Sequence, residues 1–573
     1  MMNATADIEP LPRKYLPADF VVTDWPALEP FFKGLLAREL TSLQDLHKWL
    51  ADMSELEAVI SEDACWRQIK MTCNTEDPAL AESFNYFMME IQPNIQPYLD
   101  QLNRKLADCP YTAELTDAAY IPYLRNIRKN ISLFREENIP LQSELAVSAQ
   151  RFGVISGSMT ITVNDREYTL QQAAKFLEDS DRGLREQVYR QISERRLQEK
   201  GTLNGLYDEL ISKRHQMALN AGYPDYAAYR FVELGRFDYT KEDCFLFHEA
   251  VKEHVLPLVN DIYVKKKSLL ELETLRPWDV DAQPEGIKPL HPFTTGEELL
   301  QKAIACFEKL NPFFAQCLVK MREMGHLDLE SRKGKAPGGY NCPLAESGAP
   351  FIFMNAAGTL NDVITMVHEG GHAIHSFLSH PLPLTGFKEY PMEIAEVASM
   401  SMELFSMEEW GVFFPDEAEL KRAKEQELER VITLFPWIAT IDKFQHWVYE
   451  NPNHTHEERK ENWLRILNEF TPEALDVSGL EEYRAYSWQR QLHLYEVPFY
   501  YIEYGIAQLG AIGMWQQFKQ NRAQALANYM AGLSLGGTRT LPELFAAAGL
   551  RFDLSPNHIQ NLMNFVKKEM DVL

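Results

Sequence analysis

The stretch Thr359–Leu378 has the sequence TLNDVITMVHEGGHAIHSFL, with two histidines four residues apart. Thr359 and Asp362 have the spacing of a capping box, which predicts a helix over the whole stretch. On that helix His368 and His372 lie about one turn apart, ~6 Å along the axis. Two imidazoles placed in this way can bind one metal ion, so the H-E-x-x-H sequence is a candidate metal motif.

Two further features of the same helix support a metal site over a helix with solvated histidines. Glu369 projects about 100° around the helix from His368, beside the expected ion, where a carboxylate can act as general base on the attacking water. The composition predicts roughly 0.06 chance matches to this motif in the chain. Gly370 and Gly371 each cost ~1 kcal/mol relative to alanine within a helix, which is tolerated where something approaches the backbone closely.

The third metal ligand has to come from another segment. His375 lies too far along the helix from the first histidine to share its ion, so we expect it to pack or to hydrogen-bond a ligand. A second helix is predicted to start at Pro391, and it carries three candidate ligands, Glu393, Glu396 and Glu403. Glu396 is the best candidate, because its immediate neighbours are apolar and a solvated face would not favour them.

A second group of candidate residues lies near the C-terminal end of the sequence. Pro498 can open a helix in which Tyr501, Tyr504 and Gln508 share one face, and His493 lies just before it. From the residues alone, a stripe of aromatic core residues is the more common explanation of this pattern.

These segments resemble the family of zinc oligopeptidases, peptidase family M3, that contains thimet oligopeptidase and oligoendopeptidase F. The likeness is closer to oligoendopeptidase F and the bacterial Pz-peptidases, and it spans roughly residues 150 to 550. The segments that carry it are Gly338–Tyr340, Pro350–Asn355, Gly358–Asp362, His368–His372, Glu396–Ser399 and His493–Ala511.

The resemblance implies a metal site and an activity. Glu396 becomes the third ligand, beside His368 and His372, of one zinc ion (Zn²⁺), although manganese or cobalt also suits such ligands. Glu369 becomes the catalytic base. The expected activity is that of a zinc metalloendopeptidase that hydrolyses internal peptide bonds of short, unstructured oligopeptides.

The resemblance also changes the interpretation of the C-terminal aromatic residues. It implies that His493, Tyr501 and Tyr504 face the zinc and donate hydrogen bonds to the oxyanion of the reaction. Tyr500 replaces Tyr501 if the correspondence shifts by one residue.

The periodicity of the sequence predicts a mainly α fold with a small β element. The resemblance implies that this fold is a helical zincin that encloses a substrate channel. Thr160–Tyr168 is expected to form a β-hairpin, and Phe351–Met354 a strand that could pair with extended substrate. We expect an N-terminal helical region over residues 1–200 and the catalytic region over residues 201–573.

The charge and composition limit the partners of the protein. Of 573 residues, 83 are acidic and 57 basic, which gives a formal net charge of −26. This balance disfavours nucleic acids and anionic membrane surfaces, so oligopeptides are the expected partners. The start of the sequence has no apolar leader and the cysteines show no paired pattern, which favours a cytoplasmic protein. The oligomeric state stays open.

Two other functions remain possible at this point. A helical zinc carboxypeptidase could use the same motif and would release single C-terminal residues. A non-catalytic, zinc-containing protein could bind peptides without cleaving them. Against the second, two histidines and one glutamate leave a coordination position open, whereas structural zinc sites are usually closed by cysteines.

Overall fold

The structure is a computed structural model that describes Ala6, Ile8 and residues 12–573. The start of the sequence, on which the expected lack of a leader depends, lies partly outside these residues. Helices dominate the described part of the chain and strands are few, which confirms the predicted mainly α fold. None of the helices in the described part is both long enough and apolar enough to span a membrane.

The α-helices follow one another closely along the described residues. The first twelve are α1 (Trp25–Ala37), α2 (Leu43–Cys73), α3 (Pro78–Tyr86), α4 (Gln92–Asp108), α5 (Tyr120–Leu133), α6 (Asn138–Gly157), α7 (Leu170–Ala174), α8 (Arg182–Gln198), α9 (Lys200–Asn220), α10 (Tyr226–Glu233), α11 (Lys241–Ala250) and α12 (Leu256–Leu269). The others are α13 (Gly296–Leu310), α14 (Pro312–Met324), α15 (Leu360–Ser379), α16 (Thr385–Lys388), α17 (Met392–Met407), α18 (Glu417–Glu450), α19 (His456–Glu469), α20 (Glu481–Ala485), α21 (Leu492–Glu496), α22 (Tyr501–Gln520), α23 (Arg522–Leu533), α24 (Leu541–Ala547) and α25 (Pro556–Val572).

Two small sheets accompany the helices. Their strands are β1 (Thr160–Val163), β2 (Arg166–Thr169), β3 (Leu327–Glu330), β4 (Tyr340–Cys342) and β5 (Phe351–Ala356). Strands β1 and β2 pair antiparallel, with Val163 opposite Arg166. Asn164 and Asp165 between them have φ values of 49° and 60°, the left-handed conformation that a two-residue hairpin turn requires. The predicted hairpin is therefore confirmed.

The second sheet has the strand order β3–β5–β4, so β5 is its central strand. It runs parallel to β3 and antiparallel to β4. The predicted strand at Phe351–Met354 is confirmed, but the expectation that substrate could pair with it is wrong, because both of its edges are occupied. All four residues of that run are buried, as is typical of a central strand.

The chain forms two compact units, each made from separate segments of sequence. The first comprises the described residues up to Glu136, together with Leu290–Lys424 and Ala507–Phe552. The second comprises Glu137–Pro289, Glu425–Ile506 and Asp553–Leu573. The division into an N-terminal region and a catalytic region at residue 200 stays a prediction.

One hydrophobic core of the first unit joins distant parts of the sequence. It is built mainly from α1, α2, α4 and α5, with Trp49 and Leu28 fully buried at its centre. Leu384 and Phe387, from the segment around α16, complete the same core. The fold therefore brings together residues that are more than 250 positions apart in the chain.

Candidate metal centre

Helix α15 carries the H-E-x-x-H sequence and begins as the sequence predicts. The Thr359 hydroxyl accepts a hydrogen bond from the Asp362 backbone N–H, and Asp362 accepts one from the Thr359 N–H. This reciprocal capping box satisfies backbone donors that the first turn leaves unpaired. The predicted helix is confirmed, and α17 likewise begins directly after Pro391.

Helix α15 packs closely against α17 within the first unit, and the glycine pair allows it. A Cβ atom added to Gly371 would lie 2.6 Å from the Ala398 carbonyl oxygen and 2.7 Å from the Ser399 Cα. At Gly370 it would lie 2.7 Å from the ring of Phe307 on α13. The close approach inferred from these glycines is therefore present, and the neighbour at Gly371 is the backbone of α17.

The close packing brings three predicted ligands together. Nε2 of His368 lies 3.5 Å, and Nε2 of His372 lies 3.7 Å, from Oε2 of Glu396. One potential ligand atom from each of the three residues lies within 4.8 Å of the others. The Glu396 side chain is 4% exposed, whereas the His368 and His372 side chains retain 21% and 15% exposure. The three-residue group is therefore buried at Glu396 and accessible to solvent at the two histidines.

Each of the three side chains is held in position by a further contact. Nδ1 of His368 lies 2.6 Å from Oε1 of Glu403, His372 is hydrogen-bonded to the Ala395 backbone, and the Ser399 hydroxyl donates to Glu396 Oε2. Such contacts fix the orientation of a metal-binding imidazole. Glu403, one of three carboxylates considered as a ligand, thus faces the far nitrogen of His368. The sequence signal for this role is its seven-residue spacing from Glu396, which places both on one helix face.

The donor atoms fit a zinc ion. Two imidazole nitrogens and one carboxylate oxygen are a common ligand set for zinc in hydrolytic enzymes. Burial lowers the pKa of the His368 imidazole, but the Glu403 carboxylate outweighs this effect and the pKa rises to about 9. A divalent cation and a proton would therefore compete for the His368 imidazole.

Glu369 lies beside this group and has the properties expected of a proton carrier. It is 6% exposed, and its Oε2 atom has no hydrogen-bond partner in the part of the chain that the structure describes. Burial raises its pKa to about 7, against the attraction of a positive charge on His368. A carboxyl group with a pKa near neutrality can both accept and return a proton.

His375 is not part of the ligand group. Its ring is fully buried and stacks on Tyr390, with 3.6 Å between the ring centroids and 13° between the planes. The expectation that it packs rather than binds the ion is confirmed.

The C-terminal aromatic residues form a cluster in the second unit. The ring centroid of His493 lies 4.8 Å from Tyr501 and 5.9 Å from Tyr504, and Tyr500 lies 5.0 Å from Tyr504. Burial raises the pKa of the Tyr501 phenol, which keeps its proton available for donation. The Gln491 amide donates to Nδ1 of His493 at 2.7 Å and fixes the ring. That these residues face the metal ligands stays a prediction.

The helix that carries these tyrosines begins later than the sequence predicts. Helix α22 starts at Tyr501, three residues after Pro498. Phe499 between them has a φ of 66°, a left-handed conformation that a helix cannot contain. The predicted start at Pro498 is therefore wrong, because the proline is followed by a turn.

Comparison with known proteins identifies the family. Residues 175–564 match the model of peptidase family M3, and residues 17–134 match that of the M3 N-terminal domain. The chain belongs to peptidase family M3. This membership confirms the resemblance drawn from the sequence and the class of metallopeptidase hydrolases.

Relatives of this M3 peptidase include several oligoendopeptidases. An oligoendopeptidase F homologue of Borreliella burgdorferi is 23% identical over 71% of the chain and 68% of the relative. The chromosomal oligoendopeptidase F of Lactococcus lactis subsp. cremoris is 23% identical over 57% of the chain, and this match spans only 53% of the relative's length.

Solved structures match over nearly the whole chain. PZ peptidase A with an inhibitor is 25% identical, covers 98% of this chain and 99% of its own, and has a TM-score of 0.90. A candidate oligoendopeptidase F is 27% identical, covers 97% and 98%, and has a TM-score of 0.89. These likenesses confirm the M3 peptidase fold.

Proposed function

We propose that this M3 peptidase is a zinc-dependent endopeptidase that hydrolyses internal peptide bonds of short, unstructured oligopeptides. The observation that carries the proposal is the convergence of His368, His372 and Glu396 on one accessible point, with the buried carboxyl of Glu369 beside it. The names of the relatives, which are oligoendopeptidases and oligopeptidases, support short peptides as the substrate class.

His368, His372 and Glu396 would hold the ion. Bound zinc would supply a Lewis acid that polarises the scissile carbonyl and lowers the pKa of water towards neutrality. Glu403 and the Ala395 backbone keep the two imidazoles in the orientation that leaves their Nε2 atoms turned towards Glu396.

Glu369 acts as general base and then as general acid. It removes a proton from the attacking water and returns it to the leaving amine of the cleaved bond. Burial raises the pKa of this carboxyl, which favours the protonated form that returns the proton to the amine. Burial of this carboxyl also strengthens its interaction with charge that develops nearby.

His493, Tyr501 and Tyr504 donate hydrogen bonds to the oxyanion that forms at the substrate carbonyl. Loss of one such donor typically costs about 10²–10³ in turnover. Their mutual contacts in one cluster support a shared role. Tyr500 belongs to the same cluster and is the alternative to Tyr501.

The edge strand β4 offers unpaired backbone groups, within the described part of the chain, to which peptides of many sequences could bind. Addition of an extended substrate to this strand would use backbone hydrogen bonds, which are independent of side-chain identity. β4 lies close to the catalytic helix, because the Asn341 side chain donates a hydrogen bond to the Glu369 carbonyl at 3.3 Å. A channel around the site would limit the substrate to short, unfolded chains.

Mass spectrometry of a peptide ladder tests this function. Peptides from about five to thirty residues are incubated with the zinc-loaded protein and with the Glu369→Gln variant. We expect internal cleavage of the short members, which fades with length, and no cleavage by the variant although it still binds zinc. Release of single C-terminal residues would instead indicate a carboxypeptidase. Intact peptides despite bound zinc and retained affinity would indicate a peptide-binding protein.

A further inference from the structure

A second group of metal-binding side chains lies within the second unit, on helices α11 and α18. Helix α11 carries Cys244 and His248, and helix α18 carries Asp442 and His446. Each pair has the four-residue spacing that places two side chains on one helix face, as in the H-E-x-x-H motif. All four residues are buried, with at most 1% of each exposed.

The side chains of the two helices converge on one point. One potential ligand atom each from Cys244, Asp442 and His446 lies within 4.8 Å of the other two. Nε2 of His446 is 3.6 Å from Oδ2 of Asp442. Ligands of a tetrahedral zinc ion lie about 3.3–3.8 Å apart, given metal–ligand distances of 2.0–2.3 Å. The distance between Asp442 and His446 falls within this range.

Three side-chain atoms of Asp442 and His446 have no hydrogen-bond partner among the described residues. Oδ1 of Asp442 and both ring nitrogens of His446 lack a hydrogen bond within the described ranges, Ala6, Ile8 and 12–573. A buried polar atom without a partner destabilises the fold, so a cluster of such atoms indicates a ligand site. His248 Nε2 lies 2.9 Å from the other oxygen of Asp442, and this contact holds the carboxylate in place.

The chemistry of the three side chains also suits a cation. A neutral imidazole offers a lone pair, and an ionised carboxylate offers a negatively charged oxygen. With a Cys244 thiolate, the ligand set has a charge of −2, which a divalent ion neutralises.

A cavity gives access to the site. It has a volume of about 320 Å³ and is lined by His248 and His446 together with Phe245, Trp447 and Glu249. Both histidines thus border a space large enough for hydrated ions and small chelators. An ion in this space would contact His446, one of the three converging residues.

We propose that Cys244, Asp442 and His446 bind a second divalent metal ion, with His248 as the hydrogen-bond partner that orients Asp442. Zinc is the ion that one thiolate, one imidazole and one carboxylate fit best. This ion is independent of the proposed peptidase centre, whose ligands lie in the first unit and include no sulfur.

The second ion would stabilise the segment that leads into the tyrosine helix. Gln445, next to His446 on α18, accepts a hydrogen bond from the Phe499 backbone N–H at 2.6 Å. The ring of Phe499 also lies 5.0 Å from that of His446. Phe499 has the left-handed conformation that precedes α22, so a metal that fixes α18 also fixes the start of the helix with Tyr501 and Tyr504.

Cobalt substitution of the full-length protein tests the site directly. The apo protein is loaded with Co²⁺ and its near-ultraviolet absorption is recorded, because a thiolate–cobalt bond gives an intense charge-transfer band. The His368, His372 and Glu396 centre contains no sulfur and cannot give this band. We expect the band in the parent protein, its loss in Cys244→Ser, and its retention in Cys317→Ser, a matched change of a buried cysteine on α14.

Metal content gives a second measurement that does not depend on cleavage. We expect two zinc ions in the parent protein, one in Glu396→Ala and one in Asp442→Asn. A single zinc ion and no thiolate band in the parent protein would overturn the second site, even if the protein cleaves peptides. A band that persists in a folded Cys244→Ser variant would also overturn it. Two ions and the band in a protein without peptidase activity would support the site and contradict only the proposed function.

Discussion

Replacement of Gly371 by alanine tests how strongly the metal centre depends on the contact between α15 and α17. The new Cβ atom would lie 2.6 Å from the Ala398 carbonyl oxygen, whereas ordinary contacts begin at 3.4 Å. Helix α17 would have to move away by about 0.8 Å. Its Glu396 and Glu403 would move with it, relative to the histidines of α15.

This displacement is large compared with the tolerance of a metal site. Metal–ligand distances are held within about 0.2 Å, and disturbing the partner of a ligand typically costs 10–100-fold in affinity or activity. We therefore expect Gly371→Ala to weaken zinc binding about 10–100-fold and to lower turnover by a similar factor. The added methyl group should also destabilise the fold by about 1–3 kcal/mol.

Gly370→Ala is the matched control, because it adds the same atom one residue earlier. Its Cβ would lie 2.7 Å from the ring of Phe307, a side chain on α13 that carries no ligand. Both variants should lose thermal stability, but only Gly371→Ala should lose zinc affinity. Competition with a coloured chelator measures the affinity, and peptide cleavage at saturating zinc measures the turnover. If Gly371→Ala binds zinc as tightly as the parent protein, or if both variants lose it equally, the reasoning is wrong.

Four further predictions concern single side chains. Glu396→Ala should lose its zinc, whereas Glu393→Ala on the same helix should keep it; equal metal contents would contradict the ligand assignment. Glu403→Gln should lower zinc affinity about 10–100-fold, as titration with a chelator would show, because it weakens the contact with His368. Tyr504→Phe should lower kcat about 10²–10³-fold with KM nearly unchanged, and an unaltered kcat would return that residue to a purely structural role. Burial raises the pKa of Glu57 to about 8, so between pH 5 and pH 8 the folded state binds a proton that the unfolded state has released. The free energy of unfolding should therefore fall from pH 5 to pH 8 through this group. The Glu57→Gln variant should raise Tm more at pH 8 than at pH 5.

Local features of this protein were predictable from its sequence. The capping box at Thr359, the histidine spacing on α15 and the start of α17 after Pro391 each depend on a few neighbouring residues. The same holds for the hairpin at Thr160–Thr169, whose turn residues fix the register. Such elements need no knowledge of what they pack against.

Features that depend on distant partners were not predictable in the same way. The apolar run Phe351–Met354 is consistent with a strand buried on both faces, but only the fold shows that β3 and β4 flank it. Pro498 commonly begins a helix, but the contacts of Phe499 with α18 produce a turn instead. Nearly 200 residues separate Cys244 and His248 on α11 from Asp442 and His446 on α18, and only the fold brings them together.

The first unit is built from separate segments of the sequence, and this affects how the chain folds during synthesis. Helices α1 to α5 emerge from the ribosome first, but Leu384 and Phe387 of the same core follow about 250 residues later. At a synthesis rate of about 5–20 residues per second, this delay is roughly 10 to 50 s. During that time the incomplete core exposes apolar surface, so the nascent chain is a candidate for chaperone binding. Yield in the cell should therefore depend on translation speed and chaperone supply more than the stability of the finished protein suggests.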